Sequence, residues 1–404
     1  MKKITVIIVS YNVKYYLEQC IVSLRWALRD IPSEIIVVDN HSRDDSVEYI
    51  QKKFGASVTV IASNHNLGFS RANNRAIDMS DSEYVLLLNP DTIVTEESLR
   101  ETLEFMDSHP RAGALGVRMI KSDGTNAMES RRGIPSPMVA FYKMCGLCSL
   151  CPKSKRFGHY YMSDIPWDEP NEIEVVSGAF CLLRRKALKE VGRLDEDFFM
   201  YGEDVDLSYR MLQGGWENWY VPSTILHYKG ESTHKSSFRY VHVFYDAMLI
   251  FFRKHYGHLS FLLSLPIKGA IVGKASVSLI SMTWKNCLDS IGLRNRSAYR
   301  QPAYVFIGSK FSLSQCKDIA RYRGLDATYV EGTVGTLPNG HLDIDLPTDR
   351  PLVVVYDVHA YSYNEIFKIF SSNPQPQVTI GTYDNNTHKI ITQTEVIFDK
   401  TVRP

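Results

Sequence analysis

Residues 4–61 read ITVIIVSYNVKYYLEQCIVSLRWALRDIPSEIIVVDNHSRDDSVEYIQKKFGASVTVI, and this stretch decides the fold. Three short apolar runs rich in β-branched residues, Ile4–Val9, Ile35–Val38 and Val58–Ile61, alternate with two segments of helical periodicity. Unbroken apolar runs of this length are typical of parallel strands that are covered on both faces. The alternation therefore predicts an α/β fold built on a mostly parallel, doubly wound sheet.

Polar side chains follow the first two predicted strands. Ser10, Tyr11 and Asn12 come directly after the first strand, and Asp39 and Asn40 come after the second. Ligands of doubly wound sheets bind beyond the carboxyl ends of the strands, so we expect these residues to line a binding site. A carboxylate at Asp39 suits a ribose hydroxyl or a base N–H, although an Asx-turn is an alternative. The G-x-G-x-x-G fingerprint of nicotinamide-binding sheets does not follow the first strand.

Two further segments add candidate ligand-binding residues. Gly68 precedes a predicted helix that carries Arg71 and Asn73, a combination that fits phosphate or ribose contacts and equally fits a capped surface helix. A fourth apolar strand ends in the stretch Asn89-Pro90-Asp91, in which proline makes the turn rigid. A hard divalent cation that is bound with a diphosphate typically takes only one or two protein carboxylates. The carboxylate after this strand is therefore a candidate cation ligand.

Three acids, Glu203, Asp204 and Asp206, stand at the start of a predicted helix, Leu207–Gln213. Free N–H groups and the helix dipole favour acids at this place, so capping alone would explain them. The loop before them is aromatic and apolar, however, and a carboxylate beside an apolar wall is a stronger base than one in water. We therefore predict that a catalytic base lies here. We assign Asp206 and Gly178 to the acceptor side of the site. Asp206 would act there as a support or as an acceptor contact.

Seven blocks of sequence occur in an order that resembles glycosyltransferase family 2. The blocks are VIIVSYN, VVDNHSRDDS, NHNLGFSRANN, LLLNPDT, VSGAFCLLRR, GRLDEDFFMYGEDVDL and ILHYKGEST, and they span roughly residues 1–255. Within the family, the chain is similar to the bacterial rhamnosyltransferase-like branch. The resemblance implies a GT-A fold and an inverting transfer of a sugar from a nucleoside diphosphate donor to an acceptor hydroxyl.

The resemblance also implies roles for the donor residues. Tyr11, Asn12 and Asp39 match positions that line the base and ribose of the nucleotide, and Gly68 and Arg71 match positions along it. On this basis, Ser10, Asn40, Asn73 and Asn89 complete the predicted donor site.

For the chemistry, the resemblance implies a metal-dependent reaction. Asp91 matches the last position of the family's D-x-D motif, whereas Asn89 stands at its first position, so one carboxylate is replaced. His227 matches a histidine that completes the metal site in related enzymes, and Mg²⁺ or Mn²⁺ is the expected ion. Asp204 matches the general base, with Glu203 as the alternative.

Composition limits the other classes of function. The 46 basic and 45 acidic residues leave a formal net charge of +1, so nothing points to a nucleic-acid partner. The seven cysteines form no regular framework, which favours a reducing, cytosolic compartment. Cys145, Cys148 and Cys151 lack the fourth cysteine of an iron–sulfur run, and Phe141, Met144, Cys148 and Cys151 fit one apolar helix face instead.

We predict three parts along the chain. Residues 1–236 form the donor and catalytic domain, residues 237–294 a helical segment, and residues 302–404 a small α/β domain whose role stays open. The helical segment contains an aromatic helix, Phe238–Tyr256, and an apolar stretch, Leu259–Trp284, that prolines, glycines and lysines interrupt. This stretch is a poor spanning helix and a better amphipathic helix in the membrane plane, although a domain-packing role is an alternative.

These observations predict an inverting glycosyltransferase of bacterial cell-surface polysaccharide synthesis, peripheral at the inner face of the cell membrane. The expected donor is dTDP-rhamnose or a UDP-hexose, and the acceptor is lipid-linked or a saccharide. A catalytically inactive scaffold with a regulatory or partner-binding C-terminal domain is the alternative, because Asn89 replaces a carboxylate. A nucleotidyltransferase would need a Gly-rich basic loop after the first strand, and residues 10–12 offer none.

Overall fold

The computed structural model describes residues 2–144, 146–228, 238–257, 301–347 and 350–398. The predicted in-plane segment Leu259–Trp284 and the basic loop at 229–235 lie outside these residues.

Within the described residues, a nine-stranded sheet forms the first part of the molecule. In chain order its strands are Ile4–Ser10 (β1), Ser33–Asp39 (β2), Thr59–Ala62 (β3), Tyr84–Leu88 (β4), Thr92–Ile93 (β5), Ala112–Ile120 (β6), Asn171–Glu172 (β7), Phe180–Arg184 (β8) and Glu217–His227 (β9). Across the sheet the order is β3-β2-β1-β4-β8-β6-β9-β5, and β7 pairs with β9. Strands β3, β2, β1 and β4 are parallel, whereas β8 runs antiparallel to β4 and β6.

Helices cover both faces of this sheet. In chain order the helices of the structure are Lys14–Ala27 (α1), Ser46–Phe54 (α2), Gly68–Met79 (α3), Glu96–Ser108 (α4), Pro137–Met144 (α5), Leu147–Leu150 (α6), Arg185–Val191 (α7), Glu203–Gln213 (α8), Phe238–Tyr256 (α9), Lys310–Arg323 (α10) and Tyr363–Ser372 (α11). Among these described helices, none is both apolar enough and long enough to cross a bilayer.

Alternate residues of the strands enter two separate cores, because successive side chains of a strand point to opposite faces. Val6 and Ile8 of β1 pack with α1, α2 and α4, whereas Ile7 packs with α3, α7 and α8. The predicted mostly parallel, doubly wound α/β sheet is therefore confirmed.

The reversed strand β8 places its beginning beside the end of β4. Leu88 is the partner of Phe180 in the ladder, and just beyond this pair the Asn89 N–H donates to the Ala179 carbonyl at 3.0 Å. The turn that precedes β8 therefore lies at the edge where β1, β2 and β4 end.

The predicted apolar helix face through Phe141, Cys148 and Cys151 is wrong. Helix α5 stops before Gly146, whose φ of +77° lies in the left-handed region, and the chain turns there into α6. Phe141 and Cys151 are consequently exposed, whereas Cys148 is buried and its Sγ donates to the Phe157 carbonyl at 2.8 Å.

A second sheet follows in the C-terminal part. Its strands are Ala303–Gly308 (β10), Ala327–Glu331 (β11), Leu352–Asp357 (β12), Val378–Asp384 (β13), Lys389–Thr392 (β14) and Val396–Phe398 (β15), in the order β11-β10-β12-β13-β14-β15. The first four strands of that order are parallel, and the last two pair antiparallel. Strands β14 and β15 form a hairpin, because Thr392 and Glu395 close a turn through a 3.0 Å backbone hydrogen bond.

The two sheets share one hydrophobic core. Tyr16, Ile93 and Tyr228 of the first part pack in the same cluster as Val354 and Phe370 of the second. The rings of Tyr16 and Tyr228 meet edge to face, with 5.5 Å between their centroids. The second sheet therefore packs directly on the end of β9.

A buried ion pair crosses the same interface. Lys389 and Glu18, whose side chains are 3% and 1% exposed, lie 2.6 Å apart. Tyr49 donates its hydroxyl to Glu18 at 2.8 Å and accepts from Lys389 at 2.7 Å. Burial lowers the pKa of Lys389 in spite of the neighbouring Glu18 carboxylate. Both charges are thus desolvated: Lys389 depends on Glu18 for compensation, and Glu18 also forms an ion pair with Lys53.

We expect Glu18→Ala to lower the free energy of unfolding by about 3–5 kcal/mol, because it leaves the Lys389 ammonium buried without its carboxylate. Urea unfolding measures this loss. Glu104→Ala, at an exposed position of α4, is the control and should change the free energy by less than about 0.5 kcal/mol. Equal effects of the two substitutions would contradict a stabilising role for the interface pair.

Candidate active site

The ends of β1 and β2 bring the first predicted donor residues together. Ser10 is the ladder partner of Asp39, which is 3% exposed and accepts the Ser42 N–H on its Oδ1 at 2.9 Å. Asp39 Oδ2 and Ser10 Oγ are buried and have no hydrogen-bond partner among the described residues. Ser63, which follows β3 and was not singled out from the sequence, adds a third such oxygen. Unpartnered buried oxygens are costly, so the cluster is suited to a polar ligand.

Tyr11 and Asn12 differ in what they offer to a ligand. The Tyr11 side chain is 39% exposed and presents an aromatic ring beside the strand ends. Asn12 has a φ of 54° and ties two loops together. Its Oδ1 accepts the Arg43 N–H at 2.7 Å, and its N–H donates to Ser42 Oγ at 2.9 Å. The geometry thus favours a positioning role for Asn12.

Asn40 holds the beginning of α3 in place. Its Nδ2 donates to the Gly68 carbonyl at 3.0 Å, and its Oδ1 accepts the Leu67 N–H at 2.8 Å. Gly68 has a φ of +79°, and a Cβ there would lie 2.5 Å from the Phe199 carbonyl oxygen. The Phe69 N–H donates to that same oxygen at 2.7 Å. Only glycine suits this position, and it ties α3 to the loop before α8.

The two polar residues predicted on α3 point to different environments. The Arg71 side chain is 60% exposed, and its Nε lies 3.5 Å from the Glu196 carboxylate. Asn73 is 1% exposed, and its Nδ2 donates to the Phe69 carbonyl at 2.9 Å. Arg71 is therefore accessible to a ligand, whereas the geometry favours a structural role for Asn73.

Asn89, Asp91 and His227 form the candidate metal cluster. Strand β5 pairs with the end of β9, which brings Asp91 Oδ1 to 3.3 Å from His227 Nε2. Asn89 Nδ2 lies 3.4 Å from the same nitrogen. Asp91 and His227 are 2% and 7% exposed. His227 Nδ1 is also buried and has no hydrogen-bond partner among the described residues.

These residues fit a divalent cation that shares its coordination with a diphosphate. In the described part of the chain, no group of three or more His, Cys, Asp or Glu side chains is placed to hold a metal. A magnesium-like cation bound with phosphates needs only one or two protein ligands, however, and a carboxylate beside an imidazole supplies two. Asn89 contributes an amide where the family motif has a carboxylate.

Asp204 lies at the start of α8, and three hydrogen-bond donors contact its carboxylate. Helix α8 begins at Glu203 rather than at the predicted Leu207. Asp204 Oδ2 forms an ion pair with Arg132 and accepts the Gly178 N–H at 3.2 Å. Its Oδ1 accepts the Val205 N–H at 2.8 Å. The carboxylate is therefore oriented while one edge of Oδ1 retains capacity to accept another hydrogen bond.

Arg132 is a site residue that the sequence did not reveal. It lies 72 positions before Asp204, and the two side chains are 14% and 15% exposed. Burial by itself lowers the pKa of Arg132, but the Asp204 carboxylate more than offsets this, so the pKa is raised. The guanidinium thus remains charged beside the candidate base.

Glu203 is in a different state from its neighbour. It is 6% exposed, and its Oε2 has no hydrogen-bond partner among the described residues. Burial, followed by the nearby Asp204 carboxylate, raises the pKa of Glu203 to about 8. Two adjacent carboxyl groups thus occupy environments that separate their roles: Glu203 holds its proton at neutral pH, and Asp204 is ion-paired.

Asp206 is buried on the other side of α8. It is 1% exposed; its Oδ2 forms a 2.7 Å ion pair with Arg210, and its Oδ1 lies 2.7 Å from Nε2 of His255 on α9. Of the two roles that the sequence left open for Asp206, this geometry favours support over acceptor contact.

A cavity of about 90 Å³ opens beside Glu203 and Asp204. Most of its wall is apolar or aromatic, and α9 supplies one side. The lining residues are Arg132, Pro135, Tyr160, Tyr201, Gly202, Glu203, Asp204, Val205, Ala247, Met248 and Phe251. The candidate base thus faces both the strand-end turn at Gly178 and an apolar recess.

Comparison with known proteins identifies the family. Residues 5–192 match the family described as "Glycosyl transferase family 2". N-acetylglucosaminyl-diphospho-decaprenol L-rhamnosyltransferase of Mycobacterium tuberculosis is 32% identical over 242 residues, which cover 56% of this chain and 76% of that protein. The chain belongs to glycosyltransferase family 2. The family predicted from the seven sequence blocks is confirmed, and the large sheet is that of a GT-A-type glycosyltransferase.

Another relative shares a smaller part of the chain, and a solved structure is similar over a larger part. Poly(ribitol-phosphate) beta-N-acetylglucosaminyltransferase TarS of Staphylococcus aureus is 30% identical over 144 residues, or 34% of this chain and 23% of that protein. The solved structure of the mannosyltransferase PcManGT from Pyrobaculum calidifontis, in complex with GDP-Man and Mn2+, is 15% identical and covers 71% of this chain and 80% of that one. Its TM-score of 0.44 supports no argument about individual residues. The roles of the site residues in this family 2 glycosyltransferase stay predictions.

We expect Glu203→Gln to flatten the pH dependence of stability. In the folded protein Glu203 holds its proton up to about pH 8, whereas the unfolded chain releases it near the ordinary pKa of 4.5. The wild type therefore loses stability as the pH rises between these two values. A glutamine side chain does not titrate, so the variant should match or exceed the wild type at the upper end of this window.

Urea unfolding at a series of pH values measures this difference. Glu172→Gln, at an exposed position of β7, is the control and should leave the wild-type pH dependence in place. A Glu203→Gln profile that is parallel to the wild type would show that Glu203 is not a buried, protonated acid.

Proposed function

We propose that this family 2 glycosyltransferase transfers a sugar, with inversion, from a nucleoside diphosphate donor to an acceptor hydroxyl in bacterial cell-surface polysaccharide synthesis. The observation that carries the proposal is Asp204, a carboxylate oriented by Arg132 and by the Gly178 N–H at the edge of a cavity. The expected donor is dTDP-rhamnose or a UDP-hexose. The name of the mycobacterial relative supports rhamnose and a lipid-linked diphosphate acceptor. The expected place of the reaction is the inner face of the cell membrane.

The donor nucleotide binds at the ends of β1, β2 and β3 in this proposal. Asp39 Oδ2 accepts a hydrogen bond from a ribose hydroxyl or a base N–H, and the oxygens of Ser10 and Ser63 provide adjacent polar contacts. The exposed ring of Tyr11 offers a stacking surface for the base. Arg71, at the surface of α3, is accessible to the phosphates.

Asp204 acts as the general base. It takes the proton of the acceptor hydroxyl while that oxygen bonds to the anomeric carbon, and the bond to the diphosphate breaks on the opposite face. Such proton transfer is typically worth about 10²–10⁴-fold in rate. Arg132 pairs with the carboxylate and orients it. Glu203 is less suited to be the base, because its raised pKa keeps it protonated at neutral pH; it can donate a hydrogen bond to the acceptor.

Asp91 and His227 would hold the divalent cation, Mg²⁺ or Mn²⁺, with the Asn89 amide beside them. When bound, such a cation supplies Lewis-acid stabilisation of the charge on the leaving diphosphate. The orphaned His227 Nδ1 and the burial of both side chains support this assignment. Asn89 is the one feature that favours the inactive-scaffold alternative.

We expect Asp204→Asn to lower the transfer rate by at least about 100-fold while donor binding stays unchanged, because the amide cannot accept the acceptor proton. Transfer is followed by release of the nucleoside diphosphate, and binding by calorimetry. Asp81→Asn is the matched control, since Asp81 is exposed and precedes β4 at the opposite edge of the sheet. Transfer at the wild-type rate by Asp204→Asn would remove this residue from the mechanism.

We expect Asp91→Ala to abolish the part of nucleotide binding that depends on Mn²⁺. A ligand that binds only the folded state raises its stability by about 2.7 kcal/mol at 100-fold excess over the dissociation constant. Thermal unfolding with a panel of nucleoside diphosphates, with Mn²⁺ or with a chelator, measures this gain. If no nucleotide stabilises the wild type under either condition, the inactive-scaffold alternative is favoured; equal stabilisation with chelator contradicts the metal role.

A further inference from the structure

Large apolar side chains are exposed together on the hairpin of α5 and α6. Met138 and Phe141 are 53% and 48% exposed, and Leu150, at the end of α6, is 76% exposed. Met138 and Phe141 are three positions apart, which places them on the same face of the helix. Three large, exposed apolar side chains on one short hairpin make it a candidate interaction surface.

The opposite face of α5 is packed into the molecule. Val139 and Tyr142 pack with Tyr160, and Ala140 packs with Phe251 of α9. The helix thus has a buried face and an apolar face toward the outside. Met138 and Phe141 therefore lie on a different face of α5 from the residues that pack into the core.

The same segment carries positive charge and no negative charge of its own. From residue 130 to residue 163 the sequence contains six lysines and arginines and no aspartate or glutamate. Lys153, Lys155 and Arg156 follow α6 directly and are exposed. Of the six, Arg131 is buried and Arg132 is paired with Asp204. Glu174, also outside the segment, accepts the Ile134 N–H and lies 3.0 Å from His159 Nε2.

We propose that the α5–α6 hairpin, with its exposed side chains at positions 138, 141, 150, 153 and 155, docks this protein on an anionic lipid bilayer. Exposed apolar side chains that enter the interface, flanked by lysines that meet anionic headgroups, are the combination that holds peripheral proteins on such membranes. The absence of acids along the segment suits a negative surface and disfavours a basic partner protein. In the sequence, the hairpin is a different segment from the predicted in-plane segment Leu259–Trp284.

The hairpin also lies between the proposed membrane-binding surface and the cavity beside Asp204. Pro135, just before α5, and Tyr160, just after α6, both line that cavity. Ala140 on the inner face packs against Ala247 and Phe251, which line it as well. A bilayer on the outer face would therefore lie about one helix diameter, roughly 10 Å, from the cavity. This part of the inference rests on the proposed function and identifies the acceptor as lipid-linked.

The test measures sedimentation of the full chain with vesicles of phosphatidylglycerol and phosphatidylcholine in equal parts, and with vesicles of phosphatidylcholine alone. We expect the wild type to bind the anionic vesicles and to be released by high salt. Phe141→Ser with Leu150→Ser should weaken this binding at least about tenfold, because two apolar side chains no longer enter the interface. Lys153→Gln with Lys155→Gln should weaken it roughly 25-fold, at about fivefold for each charge removed.

Met79→Ser with Phe311→Ser is the matched control, since these side chains are 59% and 63% exposed and lie on α3 and α10. It should bind as the wild type does, and thermal unfolding should show that every variant is folded. The proposal is overturned if the hairpin variants still bind like the wild type, if neutral vesicles bind equally well, or if the wild type binds no vesicles.

Nucleotide binding separates this proposal from the proposed function. Hairpin variants that lose the vesicles and retain binding of the nucleoside diphosphate support the docking surface. Vesicle binding that depends on the hairpin, in a protein that binds no nucleotide, would sustain the docking surface and reject the glycosyltransferase mechanism. Transfer to a water-soluble acceptor should persist in the hairpin variants, whereas transfer to an acceptor embedded in vesicles should fall with binding.

Discussion

The antiparallel pairing of β8 with β4 is the constraint on which the candidate site depends. Because β8 runs backward, its first residues lie where β4 ends, and the Asn89 N–H bonds to the Ala179 carbonyl there. The adjacent Gly178 N–H donates to Asp204. A parallel β8 would have begun at the opposite edge, far from Asp91. The reversed strand therefore brings the end of β4, with Asn89 and Asp91, close to the turn that contacts the candidate base Asp204.

Electrostatics then separates two neighbouring carboxyl groups. Arg132 pairs with Asp204, whereas burial, followed by the nearby Asp204 carboxylate, raises the pKa of Glu203. The segment that supplies Arg132 also supplies Tyr160 to the cavity wall and the exposed hairpin with Phe141. The counter-ion of the candidate base, part of the cavity wall and the outward apolar surface therefore come from one continuous piece of chain.

The C-terminal sheet is bound to the candidate metal cluster through Tyr228. This residue directly follows His227, and its N–H donates to the Asp91 carbonyl at 3.0 Å. Its own carbonyl accepts from Gln393 at 3.2 Å, and its ring lies in the core that both sheets share. Packing of the second sheet thus helps to position the end of β9, which carries His227 of the candidate metal cluster. A C-terminal domain that moves freely is incompatible with the buried pair of Lys389 and Glu18.

Local patterns in the sequence determined the α/β class, the polar residues at the strand ends and the family, because strand periodicity and motif order are properties of neighbouring residues. The same rule would have found Ser63, which follows a strand as Ser10 does. Arg132 has no such signal, since it meets Asp204 only after the chain has reversed over 72 positions. The shared core, the turn at Gly146 and the raised pKa of Glu203 were likewise decided by the tertiary structure, because burial and long-range pairing depend on how distant segments pack.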